Sequence, residues 1–373
     1  MSASHRRFHL GERDMTSRPQ HLRLVIVVLI VIGSGMQTAR SQPAPAKPTT
    51  GKSVETSGLK LVTPETKKSI SSGLRFLAAR QHDDGSFGSG SIYQQNVAVT
   101  SLCGLAFLSA GHTPGRGKYG VQSQKAVDFV LSRCRPNGYI VDEDSTSHGP
   151  MYGHGFATLF LAEAYGMTHR KDLRVKLGKA IKLIVNTQNK DGGWRYKPQA
   201  EDADVSVTVC QMMALRAARN CGISIPKETV DRCVGYLKKA QNSDGGYKYQ
   251  LTRQSDSLFP RSAAATVALY NAGVFKGKEL EHSLRFLLRS LPRGDVFRYE
   301  SHYYYGHYYA VQAMWHAGGE YWRQWYPAIR NELLRRQLSN GGWRDPSICD
   351  EYSTAMACLV LQMPNNYLPI FQR

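Results

Sequence analysis

The sequence predicts an all-α fold, an (α/α)6 toroid built from six helix-pair repeats of about fifty residues. Three observations predict it. A glutamine followed at a fixed distance by a glycine turn and an aromatic recurs down the chain. Amphipathic stretches alternate with stretches that are apolar on every side. No segment shows the residue-by-residue alternation of a half-buried strand.

The punctuation comes first. Gln81 precedes Asp84-Gly85-Ser86-Phe87, and Gln188 precedes Asp191-Gly192-Gly193-Trp194. Gln241 precedes Asp244-Gly245-Gly246-Tyr247, and Gln337 precedes Asn340-Gly341-Gly342-Trp343. In all four the aromatic lies six residues after the glutamine. A worn copy ends at Asn137-Gly138-Tyr139, and a more eroded one runs from Leu287 past Gly294 to Phe297. Four matches at one offset are far more specific than a single Gly-Gly-Trp.

Between the markers each unit reads as two helices. The first is amphipathic, with Ile70, Leu74 and Leu77, or Ile181, Ile184 and Val185, at helical spacing. Thr63-Pro64-Glu65 supplies a capping hydroxyl, a proline and an acid in the order a first turn prefers. Glycine ends a helix where positive φ is needed, and the aromatic closes the turn. The second helix of each unit is apolar nearly all round, over 97–110, 156–165, 205–215, 263–272, 308–317 and 356–363. Such helices must be buried, so they are expected to form an inner ring sheathed by the amphipathic ones.

The N-terminus reads as an export signal. Arg6, Arg7, Arg13, Arg18 and Arg23 precede an apolar run over 24–32, and Ala39-Arg40-Ser41 offers small residues before a cut at Gln42. Nine apolar residues are too few to span a bilayer as a stable helix, although an uncut signal anchor stays open as the alternative. Residues 42–58, rich in Pro, Ala, Thr and Lys, read as a disordered linker, which leaves 59–373 for the toroid. An exported, periplasmic or secreted protein is therefore expected.

The net charge is +19, from 48 Lys and Arg against 29 Asp and Glu, but no run of five cations occurs. Dispersed charge argues against nucleic acid, which needs a clustered basic track, and fits peripheral contact with an anionic membrane or cell wall. The seven cysteines form no CxxC pair and an odd total, and several fall on apolar helical positions. They read as small buried hydrophobes, and no metal site or cofactor is expected.

The Gln…Asp-Gly-Gly-Trp punctuation on paired helices resembles the prenyltransferase/squalene oxidase repeat of squalene and terpene cyclases and of protein prenyltransferase β-subunits, over about residues 60–365. The resemblance implies parallel inner helices and a cavity at one end. It also implies that the glutamines and aromatics brace neighbouring units.

Aligning the inner helices on their apolar runs brings Asn96, His154, Asp204, Arg261, His307 and Glu351 into one column at the helix starts. Capping accounts for Asn96 and Asp204, whereas cations there oppose the helix dipole. Tyr152-Gly153-His154 and Tyr305-Gly306-His307 repeat the same tripeptide in units two and five, opposed across a six-fold ring. His154, Asp204, His307 and Glu351 are therefore candidate acid–base residues, with a structural polar network as the plainer account. Asn96, Arg261, Tyr303, Tyr304, Tyr305 and Tyr308 are candidate ligand contacts, although tyrosines in a toroid also serve as core.

Residue-by-residue comparison limits the chemistry. The Asp-x-Asp-Asp acid motif of squalene-type cyclases is matched by Asp202-Ala203-Asp204-Val205, two acids of three. The zinc-ligand stretch of the prenyltransferases is matched by Glu351-Tyr352-Ser353-Thr354, with serine at the ligand position. The thioester segment of complement-like toroids is absent. The expectation is a toroid that binds a small apolar or extended polymeric ligand at the inner-helix mouth without the complete catalytic set. The alternatives are an acid–base enzyme, terpenoid cyclase-like or polysaccharide lyase-like, and a structural scaffold.

Overall fold

A computed structural model describes residues 58–142, 149–168, 170–292 and 301–372. The proposed signal, nearly all of the linker and the eroded fifth marker lie outside the described residues. All regular structure among the described residues is helical, with only isolated bridges of extended chain.

Six outer helices carry one buried stripe each: α1 (Pro64–Arg80), α4 (Gly120–Ser132), α6 (Lys171–Asn186), α8 (Lys227–Ala240), α10 (Lys278–Leu288) and α12 (Gly319–Arg336). In α6 the stripe is Leu173, Leu177, Ala180, Ile181 and Ile184, a spacing that keeps all five on one face. Thr63 caps α1 by accepting the Thr66 N–H at 3.2 Å, ahead of Pro64 and Glu65.

Six inner helices are buried on nearly every side: α3 (Val97–Ser109), α5 (Pro150–Tyr165), α7 (Val205–Asn220), α9 (Phe259–Asn271), α11 (Tyr303–Ala317) and α13 (Asp350–Gln362). Every residue of α3 except Ala98 is buried. A short helix, α2 (Gly90–Tyr93), lies between α1 and α3. Each inner helix packs on the next, and α13 packs back on α3, so the ring closes. The closest pairing joins an inner helix to the outer helix that follows it, except that α7 packs equally on α6 and α8, and α13 takes α1 as its cover. The first amphipathic helix thus seals the last inner one, which the sequence grouping of units did not anticipate.

The punctuation performs the bracing that the repeat implies. Gln188 Nε2 donates to its own turn at Gly192 O and to Thr229 O of α8, both at 2.9 Å. Gln81 joins Gly85 O to Gln122 O, and Gln241 joins Gly245 O to Glu279 O. Gln337 joins Gly341 O to Ser69 O of α1, across the closure of the ring. The N–H of the aromatic in each of these four markers reaches inward instead: Phe87 to Thr100, Trp194 to Thr208, Tyr247 to Ser262 and Trp343 to Thr354, at 2.9 to 3.0 Å. One turn therefore ties its own unit, the next outer helix and an inner helix together. Gln188→Ala strands two backbone acceptors in a buried turn and is expected to cost about 1–3 kcal/mol. Urea unfolding measures it, and a midpoint unchanged from wild type would remove the bracing role.

The inner helices run with their N-terminal ends at one mouth, and the chain's own end closes the other. After α13 two 3-10 turns, Met363–Asn365 and Pro369–Phe371, lead the chain beneath the ring. Leu368, Ile370 and Phe371 are buried there. Trp315 Nε1 of α11 donates to Phe371 O at 3.0 Å, and the Ile370 N–H donates to Glu163 Oε1 of α5 at 3.2 Å. All seven cysteines are free, five of them buried.

Candidate functional site

A cavity of about 670 Å³ opens among the N-terminal ends of the inner helices, and all six contribute to its wall. Its lining is largely apolar and aromatic, led by Tyr152, Phe156, Tyr196, Tyr249, Phe259 and Tyr305. Asn96, Asp142, Arg261 and His302 supply polar groups.

These positions follow from local structure. Asn96 and Asp204 stand immediately before α3 and α7, in extended conformation, and cap them. Asn96 Oδ1 accepts the Ala98 and Val99 N–H groups, and Asp204 Oδ1 accepts that of Val207 at 2.9 Å. Asp142 Oδ2 accepts the Val97 N–H at 2.8 Å, so the α3 end is doubly satisfied. Before α5, α9 and α11 stand Gly149, Leu258 and His302, which give no side-chain cap. Arg261, in the first turn of α9, is held by two carbonyls: its Nε donates to Tyr247 O at 2.7 Å and its Nη2 to Asp256 O.

Of the candidate residues, Asn96, Arg261 and Tyr305 line the cavity. His154, Asp204, His307, Glu351, Tyr303, Tyr304 and Tyr308 are buried behind its wall. The reason is a shift in helix starts: α5 and α11 begin at Pro150 and Tyr303, so each histidine is the fifth residue of its helix. There it points into packing. His154 Nδ1 accepts the Ile140 N–H at 3.1 Å, and burial lowers its pKa to about 4 against a backbone bond to Ala180. His307 lies against Tyr303 and Phe259, with ring centroids 4.5 and 5.0 Å away, and burial lowers it to about 3. Both rings are neutral at pH 7 and sit as core groups.

Each acid of the column is held by an arginine. Glu351 Oε1 lies 3.1 Å from Arg80 Nε, and its Oε2 accepts from Ser89 Oγ at 2.8 Å. Asp204 Oδ2 accepts from Arg195 Nη1 at 3.0 Å, and Arg195 Nε lies 3.2 Å from Asp202. The same Nη1 donates to Tyr249 Oη at 3.0 Å, and Tyr249 bonds Tyr196. The two acids of the incomplete motif are therefore gathered on one guanidinium, which lies over the Tyr196 ring at 4.3 Å. Burial raises Asp204 to about 6, and the Val207 and Arg195 bonds oppose that rise.

Tyr303 and Tyr304 form a ring pair away from the cavity, and Tyr303 Oη donates to Glu332 at 3.0 Å. Tyr308 lies on the axis, its ring 6.5 Å from that of Phe156. Sequence reasoning missed Tyr152, Phe156, Tyr196, Tyr249, Phe259 and Tyr352 as cavity residues. A signal existed for two of them: Tyr196 and Tyr249 each stand two residues after a marker aromatic, Trp194 and Tyr247, as does the lining residue Val141 after Tyr139. Among the described residues no cluster of three metal-ligating side chains forms, and no helix is long and apolar enough to cross a membrane.

The family model of the prenyltransferase alpha-alpha toroid domain matches residues 55–295. A drimenyl diphosphate synthase from Streptomyces showdoensis is 26% identical over 173 residues, 46% of this chain, and the match spans only 31% of that relative's length. Among solved structures, a type II terpene cyclase from Scytonema covers 82% of this chain and 99% of its own at TM-score 0.59 and 17% identity. A cellobiose 2-epimerase from Spirochaeta thermophila covers 84% of this chain and 98% of its own at TM-score 0.63 and 12% identity. At these identities the likeness is one of fold, shared by cyclases and sugar-acting enzymes alike.

Proposed function

This chain belongs to the prenyltransferase alpha-alpha toroid domain family, and from that premise we propose that it binds an extended apolar molecule of isoprenoid kind in the mouth cavity. The observation that carries the reading is the cavity's wall. Its volume of about 670 Å³ lies in the range of small-molecule sites, and aromatic and aliphatic side chains dominate its lining. A polyanion site needs several cationic groups, and Arg261, already held by two carbonyls, is the one Lys or Arg among the described lining residues. A type II terpene cyclase of the same fold from Scytonema has geranylgeranyl dihydroxybenzoate as its substrate.

The reading is of binding without the complete acid of the cyclases. Asp204 occupies the middle position of the partial motif, yet a helix N–H takes one oxygen and Arg195 the other. Its side chain is fully buried, with Tyr249 at the cavity wall beside it. A carboxyl so placed fixes the tyrosines that shape the wall. Export, and peripheral contact with an anionic membrane or cell wall, belong to the same proposal. The chain is basic, and the exposed Leu258 at the mouth offers an apolar contact where a ligand would enter.

Gly153 provides the test. It lines the cavity, and a Cβ there would meet nothing closer than 3.9 Å, so the position has room for a side chain at the cavity wall. Gly153→Phe is expected to leave the melting temperature within a few degrees of wild type and to weaken farnesol or geranylgeraniol at least tenfold, about 1.4 kcal/mol. Calorimetry measures it, alongside mass spectrometry of lipid retained through purification. Equal affinity in the two proteins, or no isoprenol binding by wild type, would overturn the reading.

A further inference from the structure

Opposed helices of the ring meet on its axis. Phe156 of α5 lines the cavity and stacks edge-on against Tyr308 of α11 at 6.5 Å. Tyr308 in turn meets Phe371 at 6.5 Å. Phe371 comes from the chain's own end, its carbonyl fixed by Trp315 and the preceding Ile370 N–H fixed by Glu163. Tyr308 and Phe371 are 1% and 2% exposed, so the stack beneath Phe156 is closed to solvent. The cavity is thus a well with a floor, and the floor rests on the C-terminal segment.

We propose that the Phe156–Tyr308–Phe371 stack sets the length of chain that the cavity accepts, with Phe156 as the stop and Phe371 as its prop. This rests on the reading that the ligand is an extended apolar chain. Affinity for such a chain rises about fourfold with each methylene buried, and falls once the chain meets a rigid floor. Phe156 touches the ligand. Phe371 meets Tyr308 and is not among the lining residues, so it acts by position, and substituting it lets the floor sink.

The test is a length series of linear isoprenols, from ten to twenty-five carbons, scored by displacement of an anilinonaphthalene dye. Wild type is expected to show affinity that climbs with length and then drops about tenfold at one step. Phe156→Ala moves that step to a chain at least one isoprene unit longer. Phe371→Ala moves it the same way without contact with the ligand, and Phe371→Leu, which keeps the end of the chain apolar should the alanine variant fail to fold, moves it less. Steps that stay in place in Phe156→Ala and Phe371→Leu would overturn the proposal while leaving isoprenoid binding intact. Absence of binding by wild type across the series would instead overturn the underlying reading, and the length stop with it.

Discussion

Gly192→Ala is expected to lower the stability of the toroid by about 2–5 kcal/mol, read as a fall in the urea midpoint at unchanged slope. Two causes add. Gly192 sits at φ +97°, where a Cβ costs about 1–2 kcal/mol in backbone strain. A Cβ there would also stand 2.2 Å from the carbonyl oxygen of Arg232, a backbone atom of the next outer helix that has little room to yield. Overpacking of that kind adds about 1–3 kcal/mol. Gly178, exposed inside α6 with open space around its Cβ position, is the matched control. Gly178→Ala is expected to stabilise by about 0.5–1 kcal/mol, since alanine loses less backbone freedom on entering a helix. A loss at position 192 no larger than the change at 178 would mean that the turn is not pinned between units.

That contrast also explains what was legible beforehand. A turn that needs positive φ and a close backbone approach admits only glycine, so it leaves a mark in each of the five described copies, and the marks at 85, 138, 192, 245 and 341 were enough to count repeats. A capped helix start is equally visible: α3 and α7 begin at 97 and 205, where Asn96 and Asp204 announce them. The uncapped starts were not. The first turns of α5, α9, α11 and α13 mix glycine, proline, aromatics and polar groups, so the apolar run took over the reading, and the starts at 150, 259, 303 and 350 were placed four to six residues late. That error turned His154 and His307 from interior residues of helices into residues of a mouth. Burial depends on which neighbour faces each turn, and no pattern within a single helix encodes that.

The cavity was legible as a place and not as a set of residues. Converging inner-helix ends make a mouth, and Asn96, Arg261 and Tyr305 are there. Tyr196 and Tyr249 come from the turns that follow Trp194 and Tyr247, segments without helical periodicity, and their role depends on Arg195 drawing Tyr249 and Asp204 to one point. Asp202 and Asp204 looked like the remnant of an acid pair. Gathered on one guanidinium they also frame an aromatic wall, and the buried Asp204 has in Arg195 the partner that a buried carboxylate needs to remain charged.

The second large effect concerns pH, and Glu163 governs it. This residue is 3% exposed, beneath the ring, and burial raises its carboxyl to about 8 although the Ile370 N–H opposes the rise. Cys221 and Tyr308 are the titratable groups that face it. An unfolded glutamate titrates near 4.3. Between the two values the folded chain holds the extra proton, so stability is full below about pH 4.3 and falls as pH rises toward 8. Asp204, raised to about 6, acts in the same direction over a lower range. His154 and His307, lowered to about 4 and 3, act oppositely, because their stabilisation is full above about 6.5 and is lost as pH falls. Where all four titrate, roughly pH 4.3 to 6, the contributions nearly cancel. Above about 6.5 only Glu163 among the four is still changing, so wild type is expected to lose about 2 kcal/mol between pH 6.5 and 8, at about 1.4 kcal/mol per pH unit. Glu163→Gln keeps an acceptor for Ile370 and removes the charge, so its urea midpoint should fall less than that of wild type across that interval and exceed it at pH 8. Parallel pH profiles for the two proteins would mean that Glu163 ionises without cost, and hence that water reaches the carboxyl beneath the ring.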